Sequence, residues 1–120
     1  GCGGIGLQLL GLCSNGHVGF NEPPCPPDQH SHEVELTPAT RQQNAVLFDG
    51  CVEAVPQRAI TLGLWEILEA AEIHLVVTGA AKAGILKRLL DLTEPDPALP
   101  ASWLLTHPNV WLWCDAAALA

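Results

Sequence analysis

The order of hydrophobic and polar positions along the chain predicts strands that alternate with helices. The apolar segment 5–12 predicts a first buried strand, and 73–78, which is rich in β-branched residues, predicts another. A last strand is expected at 110–114, and short strands at 34–36 and 59–62. Because such alternation is typical of parallel sheets, the pattern predicts an α/β fold with three αβα layers, in which helices cover both faces of a mostly parallel sheet.

The helices have recognisable start signals. Thr37 offers a hydroxyl N-cap and Pro38 suits the first helical position, so a helix is predicted from there to about residue 48. A second helix is expected at 64–70, and a third at 80–92, where leucine and isoleucine recur on one face. A short helix at 101–107 precedes the last strand. The whole chain, 1–120, is expected to form a single domain.

Composition narrows the possible partners. The formal net charge is −8 and only five Lys and Arg are present, which argues against a nucleic-acid surface. Every apolar run is interrupted before it reaches the length of a membrane span, so no membrane is expected as a partner. The five cysteines are scattered without a CxxC pair, which favours reduced, buried thiols. No basic leader segment is visible, and we expect a cytoplasmic protein.

A weaker metal-binding pattern is present in the proline-rich segment that follows the first strand. Cys25, His30 and His32 could face one side of an extended segment. Their spacing matches no standard zinc pattern, so a solvated loop is the preferred interpretation and no metal is predicted.

A polar cluster directly follows the first predicted strand. Asn15, His17 and Glu22 lie within eight positions after the apolar run ends. Chemistry in α/β sheets is usually found beyond the carboxyl ends of the strands, and a histidine flanked by an amide and a carboxylate can have its tautomer fixed there. The alternative is a turn whose polar groups only cap the backbone. From spacing alone, the site interpretation is only slightly favoured.

A second candidate site lies at the start of the third helix. If Gly79 caps this helix, Lys82 falls in its first turn, where the helix dipole disfavours a cation. An anion bound by the backbone N–H groups and the ammonium would remove this conflict. The alternative is an ordinary solvated lysine.

Several motifs in the same order resemble one family. Asn15-Gly16-His17 and Phe20-Asn21-Glu22-Pro23 are similar to the signature of the glucosamine-6-phosphate deaminase (isomerase) family, within the larger group that includes 6-phosphogluconolactonases. The likeness continues through further matching segments, at 37–44, 55–63, 77–83 and 102–108. The resemblance implies a Rossmann-like fold and covers only the second half of a family member.

The resemblance also implies roles for individual residues. His17 would be the acid/base that opens the pyranose ring, with Glu22 and Asn15 holding and tuning it. Lys82, together with Gly79, would bind the phosphate of an amino-sugar 6-phosphate. The products would be fructose 6-phosphate and ammonia, with no metal or organic cofactor required.

Some family features have no counterpart here. The carboxylate that serves as the enolisation base belongs to the first half, and no Asp or Glu precedes the motif. Val46 stands where an arginine usually helps to bind phosphate, and the Trp65-Glu66 pair is expected to crowd the phosphate pocket. The alternative function is therefore a catalytically inactive sugar-phosphate-binding or assembly module.

A half-length sheet should also leave a strand edge uncovered. We expect a homo-oligomer, in the first place a dimer, or a partner chain that supplies the first half. Trp103, Trp111 and Trp113 are the candidates for this surface, and the alternative for the alternating Trp111 and Trp113 is a place in the core.

Overall fold

The elements of the fold follow the predicted alternation. The computed structural model describes residues 4–13, 16–21 and 25–120. The strands are β1 (Leu7–Gly11), β2 (His32–Glu35), β3 (Arg58–Thr61), β4 (Glu72–Val77) and β5 (Val110–Cys114). The α-helices are α1 (Pro38–Asn44), α2 (Leu64–Leu68), α3 (Ala83–Asp91) and α4 (Ala116–Leu119). Short 3-10 helices occupy Ala45–Phe48, Val52–Ala54, Ala80–Lys82 and Pro100–Thr106.

The main sheet is parallel and has β4 at its centre. Its strand order is β1-β4-β5, with Leu10 paired to Leu75 and Leu75 paired to Leu112. Strands β2 and β3 form a separate two-stranded antiparallel sheet in which His32 faces Thr61. The connection between them is long and contains α1, and for brevity we call this strand pair the hairpin. The predicted α/β class with a mostly parallel sheet is thereby confirmed.

One face of the main sheet carries the hydrophobic core. On β4, Ile73, Leu75 and Val77 are buried, and they share a continuous cluster with Ile67 of α2 and Leu86 of α3. The helices between successive strands of this sheet therefore supply the cover for that face. This arrangement explains why the apolar residues of α3 recur at helical spacing.

The opposite face of the main sheet is bare within the described part of the chain. Its exposed residues are Leu7, Leu9, Val76, Trp111 and Trp113. The two indoles are 51% and 55% exposed, although residues of this size are usually covered. We call this surface the aromatic face.

His74 lies between the two tryptophans of the aromatic face. Its ring stacks on Trp111 and on Trp113 with centroid separations of 6.1 Å in both cases. The Trp113 Nε1–H donates to His74 Nδ1 at 2.9 Å. Since Nδ1 accepts a hydrogen bond, this arrangement requires the neutral imidazole with its proton on Nε2.

The helix boundaries differ from the predicted ones for local reasons. The Thr37 cap is present, with its hydroxyl accepting from the Thr40 N–H, but the α-helix tightens into a 3-10 turn at Ala45. It ends at Asp49 and Gly50, both of which have positive φ. The third helix likewise begins as a 3-10 segment. Helix α4 was not predicted, because four residues are too few to show helical periodicity.

The predicted position of Trp103 and the predicted burial of the cysteines also need correction. Trp103 does not lie on the aromatic face: it packs against the core, and its Nε1–H donates to the Cys25 carbonyl at 2.7 Å. The described cysteines are free thiols, but only Cys25 among them is buried: Cys13 and Cys114 are partly exposed, and Cys51 is exposed. No helix among the described residues is long and apolar enough to span a bilayer.

Two isoleucines provide a matched test of where the core lies. Ile73 is fully buried in β4, whereas Ile60 in β3 is 81% exposed. We expect Ile73→Ala to lower the free energy of unfolding by about 2–5 kcal/mol, because it leaves a cavity at the centre of the sheet. Ile60→Ala should change it by less than about 0.5 kcal/mol. Urea denaturation of both variants measures the difference, and equal effects would contradict this assignment of the core.

Candidate functional site

The predicted site residues lie at one edge of the main sheet. The loop that contains His17 follows β1, and the segment with Gly79 and Lys82 follows β4. Because β1 and β4 are adjacent and parallel, their carboxyl ends are at the same edge of the sheet. The structure thus places His17 and Lys82 after neighbouring strands.

The first half of the His17 loop is fixed by close packing around Gly16. This residue has φ of 85°, and a Cβ there would overlap the Leu99 side chain. The Gly16 carbonyl accepts a hydrogen bond from the Ala101 N–H at 3.0 Å, and the His17 carbonyl accepts one from the Cys13 N–H at 3.1 Å. A side chain at position 16 would therefore displace the loop.

His17 itself is almost completely buried, with 2% of its surface exposed. A buried imidazole in a loop with a fixed backbone has a restricted orientation, which favours directed proton transfer over a freely solvated side chain. Asn15 and Glu22, the two residues predicted to hold His17, lie outside the described residues.

The second half of the loop is attached to the end of β3. Asn21 is fully buried, and its Nδ2 donates to the carbonyls of Val18 and Leu62 at 2.9 and 3.0 Å. The Phe20 N–H donates to the Thr61 hydroxyl at 3.0 Å. The loop is therefore held by the hairpin on one side and by the Pro100–Thr106 segment on the other.

Gly79 and Lys82 occupy the start of the third helical segment. Gly79, with φ of 90°, precedes the 3-10 turn, and Lys82 ends that turn and caps α3. The predicted position of Lys82 at the beginning of a helix is therefore observed. The Gly79 N–H, however, donates to both carboxylate oxygens of Asp115, at 3.1 and 3.2 Å. The Gly79 N–H, which the sequence analysis expected to bind phosphate, is therefore already hydrogen-bonded within the protein.

Asp115 is the residue of this edge that sequence reasoning missed. It follows β5 directly, and one carboxylate oxygen also accepts from the Ala118 N–H at 2.9 Å, which caps α4. It thus joins the ends of β4 and β5. An aspartate immediately before an alanine-rich run is the signal that could have revealed this cap.

The Trp65-Glu66 pair lies away from the phosphate segment. Both residues line a cavity of about 510 Å³ together with Gly4 and Ile5, which precede β1. Lys82 follows the opposite, carboxyl end of the parallel strands. The expectation that this pair crowds the phosphate pocket is therefore wrong, because α2 runs toward the amino end of the sheet.

His30 forms an ion-pair contact with Glu66 in the same cavity. His30 Nδ1 lies 2.9 Å from Glu66 Oε1. Burial acts to raise the pKa of the Glu66 carboxyl, but hydrogen bonds from His30 and the backbone outweigh it, so the pKa lies below its ordinary value of 4.5. His32 Nδ1 contacts the His30 carbonyl at 2.7 Å, so these histidines have partners other than a metal.

The family model of glucosamine-6-phosphate isomerases/6-phosphogluconolactonase matches residues 4–113. This chain therefore belongs to that family, and it corresponds to the carboxyl-terminal half of the family fold.

The curated relatives that it matches are about twice as long. A glucosamine-6-phosphate deaminase from Shouchella clausii is 48% identical over 97% of this chain and 46% of its own length. One from Rhodopirellula baltica is 49% identical over 97% of this chain and 45% of its own length. The chain spans about half the length of these relatives.

Solved structures support the same assignment. A monomeric glucosamine-6-phosphate deaminase superposes with a TM-score of 0.88 at 38% identity, covering 95% of this chain and 47% of that one. The 6-phosphogluconolactonase from Trypanosoma cruzi has a TM-score of 0.67 at 20% identity over 96% of this chain and 40% of its own, which shows a shared fold. The Rossmann-like class is thus confirmed.

Asp115 offers a test of how the edge of the sheet is held. We expect Asp115→Ala to lower the free energy of unfolding by about 1–2 kcal/mol, because two backbone N–H groups lose their acceptor. Asp115→Asn retains a side-chain oxygen and should cost less. Asp91→Ala is the matched control, since Asp91 only forms an exposed pair with Lys87. Urea denaturation combined with amide exchange at Gly79 and Ala118 measures both effects, and unchanged exchange at both amides would contradict the assignment.

Proposed function

We propose that this chain is the ring-opening and phosphate-binding half of an amino-sugar-phosphate deaminase/isomerase. The observation that carries the proposal is the buried His17, held in a fixed loop beside the strand that leads to Lys82. Relatives named glucosamine-6-phosphate deaminase support the substrate class. In this proposal Lys82 binds the 6-phosphate of the sugar.

The chemistry divides into two stages. His17 takes the proton from the anomeric hydroxyl and returns one to the ring oxygen, which breaks the bond between C1 and that oxygen. Glu22 and Asn15 orient the imidazole. A carboxylate then moves a proton from C2 to C1, and water replaces the nitrogen at C2 to give fructose 6-phosphate and ammonia. Well-placed acid/base groups are sufficient for these steps, so no cofactor is included in the proposal.

The second stage needs a base that the matched half of the fold does not supply. In this proposal another polypeptide segment supplies that base. We propose that a second copy of this chain covers the aromatic face, because that face is apolar apart from His74 and Glu72. The net charge of −8 would then be kept away from the contact.

A second candidate function is a binding or assembly module without catalysis. Val46, which stands in place of the phosphate-binding arginine, is an exposed aliphatic side chain and supplies no positive charge. A protein with only Lys82 as its phosphate contact would hold the sugar phosphate weakly. This candidate shares the aromatic face with the first one but predicts no ring opening.

The two candidates differ in a reaction that this chain can perform alone. We expect the purified chain to accelerate exchange between the α and β anomers of glucosamine 6-phosphate without releasing ammonia, because it carries the ring-opening acid/base but lacks the enolisation base. His17→Gln should reduce the accelerated rate by about 100-fold. Lys82→Met should raise the half-saturating concentration with a smaller effect on the maximal rate. Magnetization-transfer NMR measures the exchange, and an enzymatic assay measures ammonia.

His32→Gln is the control for this experiment, because it makes the same substitution at a histidine outside the loop. No acceleration by the folded chain would reject the ring-opening proposal and favour the binding module. Ammonia release that depends on His17 would contradict the expectation that the enolisation base is missing.

The proposed dimer is tested separately. We expect light scattering at micromolar concentrations to show a dimer, and Trp111→Asp to weaken it by about 30-fold or more, as is typical of a central aromatic contact. Trp65→Asp is the matched control, since Trp65 has similar exposure but lies outside the aromatic face. A light-scattering mass that corresponds to a monomer at about 100 μM would contradict this proposal.

A further inference from the structure

The hairpin formed by β2 and β3 is separate from the main sheet, yet its end contacts the His17 loop. Two hydrogen bonds carry the attachment, from Phe20 N–H to Thr61 Oγ1 and from Asn21 Nδ2 to the Leu62 carbonyl, and a third, from Asn21 Nδ2 to the Val18 carbonyl, lies within the loop. Their lengths are 2.9–3.0 Å, within the range of well-formed bonds. The hairpin therefore has a direct connection to the segment that carries the candidate acid/base.

The connection reaches the backbone immediately beside His17. The Val18 carbonyl, which follows His17 in the chain, accepts from the Asn21 side chain, and the His17 carbonyl accepts from the Cys13 N–H. The peptide groups on the carboxyl side of His17 are thus held at two consecutive positions. A rotation of the His17 backbone would break at least one of these bonds.

The fit between loop and hairpin is close. Gly19 has φ of 61°, and a Cβ at that position would lie 2.9 Å from the Thr61 hydroxyl and 3.6 Å from Asn21 Nδ2. Thr61 is itself buried, and its hydroxyl also donates to the Leu62 carbonyl at 3.3 Å. The absence of a side chain at Gly19 therefore allows the Thr61 hydroxyl and the Asn21 amide to reach the loop backbone.

Asn21 is retained at an energetic cost. Its Oδ1 is buried and accepts no hydrogen bond among the described residues, whereas its Nδ2 is fully used. An unpaired buried acceptor is unfavourable, so an amide at this position is explained by the two hydrogen bonds that it donates. The side chain acts as a bridge between Val18 and Leu62.

We propose that Asn21 and Thr61 are positioning residues that fix the orientation of His17 by attaching its loop to the end of β3. This inference rests on the proposed role of His17 in ring opening. Asn21 and Thr61 act through the loop backbone and are assigned no contact with the substrate. Loss of either attachment lets the loop open locally, which exposes the imidazole and reduces the fraction of time that it is correctly oriented.

Chemical modification of His17 tests the attachment without requiring activity. Diethyl pyrocarbonate modifies accessible neutral imidazoles, and peptide mass spectrometry separates the rate at His17 from those at the other four histidines. We expect Thr61→Val to raise the His17 rate by about three- to tenfold at fixed pH, which corresponds to the loss of one hydrogen bond. Thr61→Ser keeps the hydroxyl and should restore the native rate.

Thr40→Val is the matched control for a purely structural effect. Thr40 is also buried, and its hydroxyl accepts from Thr37 Oγ1 in α1, outside the loop and the hairpin. This variant should leave the His17 rate unchanged even if it destabilises the fold. Asn21→Ala should raise the rate as Thr61→Val does, and the Thr61 variants decide the question if Asn21→Ala does not fold.

The outcomes separate this inference from the proposed function. Equal His17 rates in Thr61→Val and Thr40→Val, or no restoration by Thr61→Ser, would overturn the positioning role. In the anomer-exchange assay, Thr61→Val should lower the maximal rate with an unchanged half-saturating concentration. A native chain without anomer exchange would reject the proposed function, while a selective rise in His17 modification would still establish the attachment.

Discussion

The hydrogen bonding of β4 to a parallel strand on each side is the constraint on which the rest of the structure depends. Parallel pairing with β1 and β5 places three carboxyl ends at one edge of the sheet. The His17 loop, the Lys82 segment and Asp115 lie at this edge for that reason alone. The placement of these residues is therefore a consequence of strand direction, and each strand contributes a different kind of group.

The backbone around His17 is held by two segments that are distant from it in the sequence. Ala101 bonds to the Gly16 carbonyl from the segment before β5, and Thr61 and Asn21 provide the attachment to the hairpin. Such a loop depends both on its own residues and on distant segments of the chain for its conformation. This explains how a segment with two positive-φ glycines, at positions 16 and 19, can still present one side chain in a defined orientation.

The strands and the helix starts were predictable because their signals are local. The β-branched run of β4 and the Thr37-Pro38 helix start specify their elements within a few residues. The links of Asp115 to Gly79 and of Asn21 to Leu62 were not predictable in this way, because each joins residues more than 35 positions apart. The position of Trp65 was misjudged for a similar reason: its neighbourhood depends on where α2 crosses the sheet. The family motif implied a role for His17 and for Glu22 and Asn15 beside it, but it assigned none to Asn21 or Thr61.

In the dimer that we propose, the aromatic face links the stability of each chain to the concentration of its partner. A surface that is buried only in a complex contributes no hydrophobic free energy to the folding of the isolated chain. Its burial stabilises the folded state through binding instead, by an amount that grows with the logarithm of the partner concentration. The melting temperature of such a chain is then a property of the solution as well as of the sequence. Cells that make it in small amounts would hold a larger unfolded fraction than those that make it abundantly, so the level of expression would itself set how much of the protein is folded.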